Sequence, residues 1–535
     1  MSTSTPAGSR QPGSGGDPAG RPGIGARMLD AVERVGNKLP EPFTLFLGLF
    51  LITGLLSTGL ALGGVQVAIP GGEGEIVEIK GLFTGEGLAW LTTSMGDNYL
   101  GFPPLATVLP ILLAVGVAEK TGMLAALVRS AFGRAPRWLL PYVVAFVGVI
   151  GSVMADSAFV LIPPLAALVF KAAGRHPVAG LLGGFGAAGA GYSTSVVPTS
   201  LDALFAGITT AVMETLPGYE YSAVNPVSNY FFNVVAALVL TVIAGFIIDR
   251  VLEPQLLRAG TPRDQTTAEG EQVHQELSPT LEPGEKRGLW LSLGAAAALA
   301  AVFVAAVLVP GSPWRNEDGG FLPSSPLLSS IVFLVFAFFM TMGVVYGLAV
   351  GTIRSMNDVV RMMGEAITDM LSFLVLAFIL GQFIALFNWS GIGSWIAVNG
   401  AAGLESMELT GFGVVLGFIV LASVLNLFII SGSSLWTIMA AVFVPLFALL
   451  GYEPAFIQAA FRVGDSATQV ITPLNPYMIV ILGLLRRYEP QAGVGTVAAR
   501  MLPFVIPFWL AWAGLLALWF FLDLPLGPGN GIFLE

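Results

Sequence analysis

The sequence predicts an all-α integral membrane protein, and three observations support that class. Charged residues make up 11% of the 535 residues, apolar residues make up 55%, and uncharged runs of bilayer length recur along the chain. A soluble domain carries about 25% charged residues, and a chain with far fewer could not cover a water-exposed surface. Long apolar runs favour helices over the short alternating strands of an outer-membrane barrel. We expect about nine transmembrane helices.

Composition also excludes several classes of function. The chain has no cysteine and two histidines, His176 and His274, so neither a disulfide framework nor a Cys- or His-rich metal centre is expected. The net charge of −10 has the opposite sign from that of a nucleic-acid-binding domain. Neither a Walker motif nor a His-Glu-x-x-His motif occurs in the sequence. We therefore expect no cofactor and no nucleic-acid partner.

The first membrane half is predicted over residues 39–252. Residues 1–38 are rich in Gly, Pro and Ser and contain no apolar run, which is typical of a disordered tail. Predicted spans follow at Phe43–Leu62, near Pro104–Val117 and at Tyr230–Ile248. Basic residues precede the first span and acidic residues follow it, so the tail is expected in the cytoplasm.

Two regions of this half do not fit simple spans. Residues 139–171 form an apolar run with Asp156-Ser157 in its middle, which predicts a re-entrant hairpin, named hairpin 1. Residues 177–216 form an apolar segment interrupted by Gly191–Pro198, which predicts a broken helix. Irregular backbone at membrane depth is tolerated only where it lines a cavity or is buried in protein.

The second half, residues 288–523, has the same order after a charged segment, 253–287, that is predicted to be a cytoplasmic linker. Hairpin 2 is predicted over residues 411–450 with Ser431-Gly432-Ser433-Ser434 at its tip, and a second broken helix over residues 454–487. The other predicted spans and the external tail are Leu289–Val309, Leu327–Val350, Leu371–Phe387, Leu502–Leu522 and residues 524–535.

The two halves align as an inverted repeat. Asp156-Ser157 matches Ser433-Ser434, and the turn Gly174–Pro177 matches Gly451–Pro454. An odd number of predicted crossings separates the two hairpins, so they would open to opposite sides of the membrane. Inverted repeats with broken helices near the midplane characterise secondary transporters. Ordinary helix kinks are the alternative, but they would not be expected twice in matching positions.

Several stretches match the motifs of a known family: Gly116–Gly122, Asp156–Val160, Gly174–Pro177, Asp202–Gly207, Asn225-Pro226 and Ser431–Pro476. On these residues the chain resembles the p-aminobenzoyl-glutamate transporter (AbgT) family, within a wider ion-transporter superfamily. The resemblance implies a homodimer in the inner membrane and cation-driven movement of p-aminobenzoyl-glutamate or related aryl carboxylates. For some members it implies export of sulfonamide antimetabolites. The segment Ser193–Thr199 departs from the Asn-Leu-Leu-type run of the family.

Arg462 and Asp465 are the charged residues expected at the centre of the site. They lie three residues apart in an apolar stretch, and a charge at bilayer depth costs at least about 2.5–3.5 kcal/mol. One interpretation is structural, in which the two residues neutralise each other. The functional interpretation is that Arg462 receives a substrate carboxylate, which suits a planar guanidinium, while Asp465 faces the coupling cation.

The remaining candidates divide by chemistry. Oxygen ligands for sodium are expected from Asp465, Asn426, Ser434, Ser466, Asp156 and Ser157. A proton on Asp465 is the rival coupling ion. The substrate set is Arg462, Trp436, Ser433 and Asp202, with Pro454 and Pro473 shaping the broken helix. Trp436 could instead be a packing residue, and Asp202 could instead cap a helix. Glu119 and Asp369 are expected to face water at the ends of spans.

Other functions compete with transport by a coupled carrier. An intramembrane aspartyl protease could pair Asp156 with Asp202 or Asp465, although the inverted repeat argues against it. A dicarboxylate/sodium symporter of the same superfamily would share the fold, and a passive channel would lack ion coupling. We predict a cation-coupled secondary active transporter, not an enzyme, that spans the inner membrane several times and contacts lipid.

Overall fold

The computed structural model describes residues 40–70, 76–133, 135–263, 280–408, 411–429, 431–472 and 475–534. Within these ranges the chain is largely helical, and nine helices are long and apolar enough to cross a membrane. The predicted class of multi-pass helical membrane protein is therefore confirmed. The predicted tail 1–38 and the part of the linker that holds His274 lie outside the described residues.

The first half begins with a pair of long helices and ends with a helix that extends towards the linker. Its helices are α1 (Pro42–Leu62), α2 (Gly85–Leu100), α3 (Pro103–Lys120), α4 (Met123–Gly133), α5 (Leu140–Val149), α6 (Ser157–Ala172), α7 (Pro177–Ala190), α8 (Ser200–Met213), α9 (Tyr230–Phe246) and α10 (Glu253–Arg258). A π-helical turn, Ile247–Leu252, joins α9 to α10, so one helical stretch of 29 residues leads into the linker.

The second half contains the longest helix of the described chain and one amphipathic helix. Its helices are α11 (Pro283–Leu308), α12 (Pro326–Ser329), α13 (Ile331–Val350), α14 (Met356–Asp369), α15 (Leu371–Trp389), α16 (Ile392–Ser406), α17 (Phe412–Asn426), α18 (Gly432–Leu449), α19 (Pro454–Thr468), α20 (Pro476–Arg486) and α21 (Val494–Leu522). α14 was not predicted from the sequence. It buries Val359, Met362 and Ala366 on one face and leaves its charged residues outside.

Both hairpin regions are divided into two helices. In hairpin 1, α5 continues as a 3-10 turn, Ile150–Met154, and Ala155 takes a positive φ of 46° before α6 begins. In hairpin 2, α17 ends at Asn426 and α18 begins at Gly432. Re-entry of these hairpins into the membrane stays a prediction. α18 has 18 residues and enough hydropathy to count as one of the nine candidate spans.

Both broken helices consist of parts that are shorter than a membrane span, and those of the second have 15 and 11 residues. The parts of the first broken helix, α7 and α8, have 14 residues each, so neither reaches the length of a span.

A two-stranded antiparallel sheet between α1 and α2 was not predicted. In it, β1 (Gln66–Ala68) pairs with β2 (Ile76–Glu78). Strands of three residues are too short to show a periodic pattern.

The interior of the protein is formed around the broken helices. α19 packs against α17, α18 and α21, and α8 packs against α3 and α18. By contrast, only 6% of the most apolar part of α11 is buried, which is typical of a helix that faces lipid. Residues near the end of the chain contact the turn that follows hairpin 2, where the Leu534 N–H donates to the Gly451 carbonyl at 2.9 Å. The breaks therefore lie in the best-packed part of the structure.

Candidate functional site

A capping box places a carboxylate at the start of α8. The Thr199 hydroxyl accepts the Asp202 N–H at 3.2 Å, and the Asp202 carboxylate accepts the Thr199 N–H at 2.8 Å. This arrangement ends the irregular segment that follows α7. Asp202 thus has the capping role that the sequence left open, with Thr199 as the cap residue. The Oδ2 atom makes both bonds to Thr199, so Oδ1 is left for other partners.

The second broken helix buries two charged side chains. Arg462 is 1% exposed and Asp465 is fully buried, and both project from α19. α19 ends at Thr468 and passes into a 3-10 turn, Gln469–Ile471. The next helix, α20, begins after Asn475, whose side chain accepts a backbone N–H at its start. The break therefore lies directly after the two charges.

Arg462 forms its ion pair with Asp202. Its Nη1 lies 2.8 Å from Asp202 Oδ1 and donates to the backbone oxygen of Ser193 at 2.7 Å. Its Nε donates to Asn229 Oδ1 at 3.2 Å. The structural alternative in which Arg462 pairs with Asp465 is therefore not the one found, because the guanidinium reaches across to the first half. Two buried charges are neutralised by this contact between the halves.

Asp465 belongs to a group of buried polar residues, the Asp465 cluster, which comprises Asp465, its neighbour Ser466, and Ser193 and Asn426, which bond to Asp465. Its Oδ2 accepts the Ser193 hydroxyl at 3.1 Å, and its backbone oxygen accepts the side-chain N–H of Asn426. Three buried oxygens have no hydrogen-bond partner among the described residues, namely Asp465 Oδ1, Asn426 Oδ1 and Ser466 Oγ. Buried polar atoms are normally satisfied. Carboxylate, amide and hydroxyl oxygens suit a small hard cation, so these three of the six predicted sodium ligands have suitable chemistry. Sodium binding stays a prediction.

The tip of hairpin 2 closes over this cluster at Gly432. A Cβ at this position would lie 3.3 Å from Asp465 Oδ2 and 3.0 Å from the ring of Tyr192. Glycine therefore permits the close approach of the tip to both halves. The Ser431 hydroxyl caps α18 by accepting the Ser434 N–H at 3.3 Å. Ser434 also donates its own hydroxyl to Ser431 at 3.1 Å, so it belongs to the tip rather than to the unpartnered oxygens.

Asp156 and Ser157 have a separate set of contacts. Together with Tyr192 they line a cavity of about 320 Å³. Ser157 donates its hydroxyl to Glu119 at 2.5 Å. Hairpin 1 contacts the segment between α7 and α8 through the Ser152 hydroxyl, which donates to the Thr194 backbone oxygen at 2.8 Å. Among the described residues, no direct hydrogen bond joins Asp156 or Ser157 to Asp465, and Tyr192 is the side chain that contacts both the cavity and the tip of hairpin 2.

Trp436 has the surroundings of a packing residue. It is fully buried, and its ring centroid lies 4.6 Å from that of Phe461. Its indole N–H points to the Phe205 carbonyl and the Thr209 hydroxyl, each at 3.3 Å. Contact between Trp436 and a substrate stays a prediction, since the ring is enclosed in this arrangement.

The other members of the predicted substrate set have structural contacts or lie outside the described residues. The Ser433 hydroxyl lies 2.9 Å from the Ser431 hydroxyl at the tip of hairpin 2. Pro454 is the first residue of α19, where its missing N–H breaks no helical hydrogen bond. Pro473 lies outside the described residues.

Two asparagines of the site were missed in the sequence. Asn233 donates its side-chain N–H to Asp202 Oδ1 at 3.2 Å, and Asn229 accepts from both Arg462 and Gln458. Both lie at the start of an uncharged apolar run, where a polar side chain is rare and marks a functional or structural contact. That signal was available but did not indicate which charges they would contact.

The fold and the site together define a multi-pass membrane transporter, because buried charges from both halves meet at paired helix breaks. A model of the AbgT putative transporter family matches residues 27–534. The chain therefore belongs to the AbgT family of transporters, and the alternative of an intramembrane protease is wrong.

Relatives of known name and structure agree with this assignment. The p-aminobenzoyl-glutamate transport protein of Escherichia coli (strain K12) is 35% identical over 507 residues, which cover 94% of this chain and 96% of that protein. The crystal structure of the Alcanivorax borkumensis YdaH transporter is similar with a TM-score of 0.84, at 35% identity over 91% of this chain and 100% of that one. Neisseria gonorrhoeae MtrF, described among antimetabolite efflux pumps, has a TM-score of 0.87 at 35% identity, over 94% of this chain and all of MtrF.

Proposed function

We propose that this chain is a cation-coupled transporter of p-aminobenzoyl-glutamate or a related aryl carboxylate. The observation that carries the proposal is the cluster of unpartnered buried oxygens of Asp465, Asn426 and Ser466, on and beside the helix that holds Arg462. The oxygens suit a cation and the guanidinium suits a carboxylate. The name of the Escherichia coli relative supports the choice of substrate.

Electrostatics gives a reason for the two ligands to bind together. A cation beside Asp465 would neutralise its carboxylate, and the positive charge of Arg462 would then act more strongly on a nearby anion. Because Arg462 is paired with Asp202 in this arrangement, a substrate carboxylate would compete with Asp202 for the guanidinium. A dicarboxylate/sodium symporter would use the same residues, so the substrate has to be established by measurement.

Uptake into proteoliposomes tests this proposal. The purified protein would be reconstituted and given labelled p-aminobenzoyl-glutamate under an imposed sodium gradient, an imposed proton gradient, or neither. We expect sodium to stimulate uptake and Asp465→Asn to abolish that stimulation. Asp358→Asn is the matched control, because Asp358 caps α14 at the surface. Wild-type sodium dependence in Asp465→Asn would remove this residue from the site, and stimulation by protons alone would favour the rival ion.

Export of sulfonamide antimetabolites is a second candidate function. It is favoured by the structural similarity to MtrF, which is described among antimetabolite efflux pumps. Cells that express this chain should accumulate less labelled sulfonamide than cells that express Asp465→Asn. Equal accumulation would contradict export.

We further propose a homodimer in the inner membrane with a cytoplasmic N-terminus. The apolar, outward-facing surface of α11 requires lipid or a second copy of the chain to cover it. The mass of the protein in lipid nanodiscs would establish the number of copies.

A further inference from the structure

One hydrogen bond joins two helices that have different neighbours. The Ser157 hydroxyl, at the start of α6, donates to Oε1 of Glu119, near the end of α3, at 2.5 Å. α3 packs against α8, α13 and α14, whereas α6 packs mainly against α7. The bond therefore connects two groups of helices.

This bond lies where two cavities adjoin. Glu119, Asp156 and Ser157 line both a cavity of about 320 Å³, which reaches Tyr192, and a cavity of about 540 Å³, which reaches Tyr477. The same side chains thus form a wall of each space. Tyr192 in turn lies against the tip of hairpin 2, so the smaller cavity extends towards the Asp465 cluster.

The charges around Glu119 leave its carboxylate available to Ser157. The neighbouring cation, Lys120, is held by Asp369, with 2.7 Å between Nζ and Oδ2. A carboxylate acceptor makes a hydroxyl hydrogen bond shorter and stronger than a neutral acceptor does. The contact between Ser157 and Glu119 is therefore a charge-assisted hydrogen bond.

We propose that Glu119 is a positioning residue that holds the tip of hairpin 1 against α3 through Ser157, and that release of this bond joins the two cavities. Passage of a cation or substrate through the joined space rests on the proposed function. The position of hairpin 1 does not rest on it, so the two can be tested separately.

Distances between spin labels test the positioning role. The chain has no cysteine, so labels can be attached at Ala172→Cys on α6 and Glu365→Cys on α14, which are both exposed and line neither cavity. We expect Ser157→Ala and Glu119→Ala each to raise the ratio of longer to shorter distances roughly tenfold or more, as for loss of one charged hydrogen bond. The double variant should match either single variant, because both remove the same bond. Glu119→Gln keeps an acceptor oxygen but loses the charge, so its ratio should lie between that of the wild type and that of Glu119→Ala.

Ser152→Ala is the matched control. Ser152 also belongs to hairpin 1 and lines the smaller cavity, but its hydroxyl donates to the backbone oxygen of Thr194, in the segment between α7 and α8, and not to α3. Its loss should therefore leave the distances unchanged. Unchanged distances in both Ser157→Ala and Glu119→Ala, or additive effects of the two changes, would overturn the proposal. Absence of cation-stimulated uptake in the wild type, with the distance change intact, would overturn only the proposed function.

Discussion

Within the described residues, the hydrogen bonds and the ion pair of the Arg462 guanidinium are made with three residues of the first half, Asp202, Ser193 and Asn229. Removing either charge leaves the other buried without compensation, which costs about 3–5 kcal/mol. We expect Asp202→Asn and Arg462→Met each to lower the thermal midpoint in detergent, and the double variant to recover part of the loss. A double variant as unstable as the sum of the single variants would show that the pair is not coupled.

Ligand binding separates a structural role of Arg462 from a role in substrate recognition. If its guanidinium also binds the substrate carboxylate, Arg462→Met should weaken p-aminobenzoyl-glutamate binding by about 1.5–3 kcal/mol, roughly tenfold or more. Binding of an uncharged sulfonamide should change less. Dissociation constants for the two ligands on folded protein provide the measurement. Equal losses for both ligands would leave Arg462 as a structural residue.

His176 should make the protein sensitive to acid. Burial lowers the pKa of His176 below its usual value, and a hydrogen-bonding contact of its ring with the Thr261 carbonyl opposes the shift. The His176 ring therefore binds a proton less readily in the folded protein than in the unfolded chain. The free energy of unfolding consequently decreases as the pH falls below about 6.5. We expect the thermal midpoint to fall between pH 8 and pH 5, and to fall less in His176→Gln. Equal slopes would exclude His176 as a cause.

For individual residues, the sequence predicted which charged side chains lie in the apolar interior, but not which residues they contact. Arg462 and Asp465 were recognised because charged residues are rare in apolar runs. Their nearness in sequence suggested that they pair with each other. The partner of Arg462 is instead Asp202, because tertiary packing of the halves decides where a long side chain reaches.

Among the helices, the N-terminus of α18 offers a direct test, because it approaches Asp465 at Gly432. In Gly432→Ala the added Cβ would crowd Asp465 Oδ2 and Tyr192, so the tip would move away from the oxygen cluster. We expect weaker cation-stimulated substrate binding with the fold retained. Gly413→Ala in α17 is the control, because a Cβ there meets nothing within 4 Å. Equal binding by the two variants would show that the tip does not close over the site.

The helix breaks were predictable from sequence because their causes are local. Clusters of Gly, Ser and Pro interrupt helices wherever they occur, and both broken helices have their breaks in the predicted segments. The amphipathic α14 and the small sheet were missed for a different reason. The strands have three residues each, and the 14-residue α14 has only one apolar face, so neither forms the long uncharged run by which spans are recognised.

The orientation of the whole molecule is a prediction from the distribution of basic residues. Single cysteines at Arg258 and Glu86, both exposed, would be labelled in intact cells with an impermeant reagent. We expect labelling at Glu86→Cys from outside, and labelling at Arg258→Cys only after the cells are opened. The reverse pattern would invert the topology, and labelling of both positions from outside would contradict the inverted repeat.

The ion pair between the halves also has a consequence for synthesis of the chain. Asp202 emerges about 260 residues before Arg462, which at about 5–20 residues per second is a delay of roughly 10 to 50 s. During that interval the carboxylate would enter the bilayer without its guanidinium. Thr199 and Asn233, which bond to it in the finished structure, are made within about 30 residues of it. These neighbours can donate hydrogen bonds to the Asp202 carboxylate in the nascent first half until Arg462 has been synthesised and inserted.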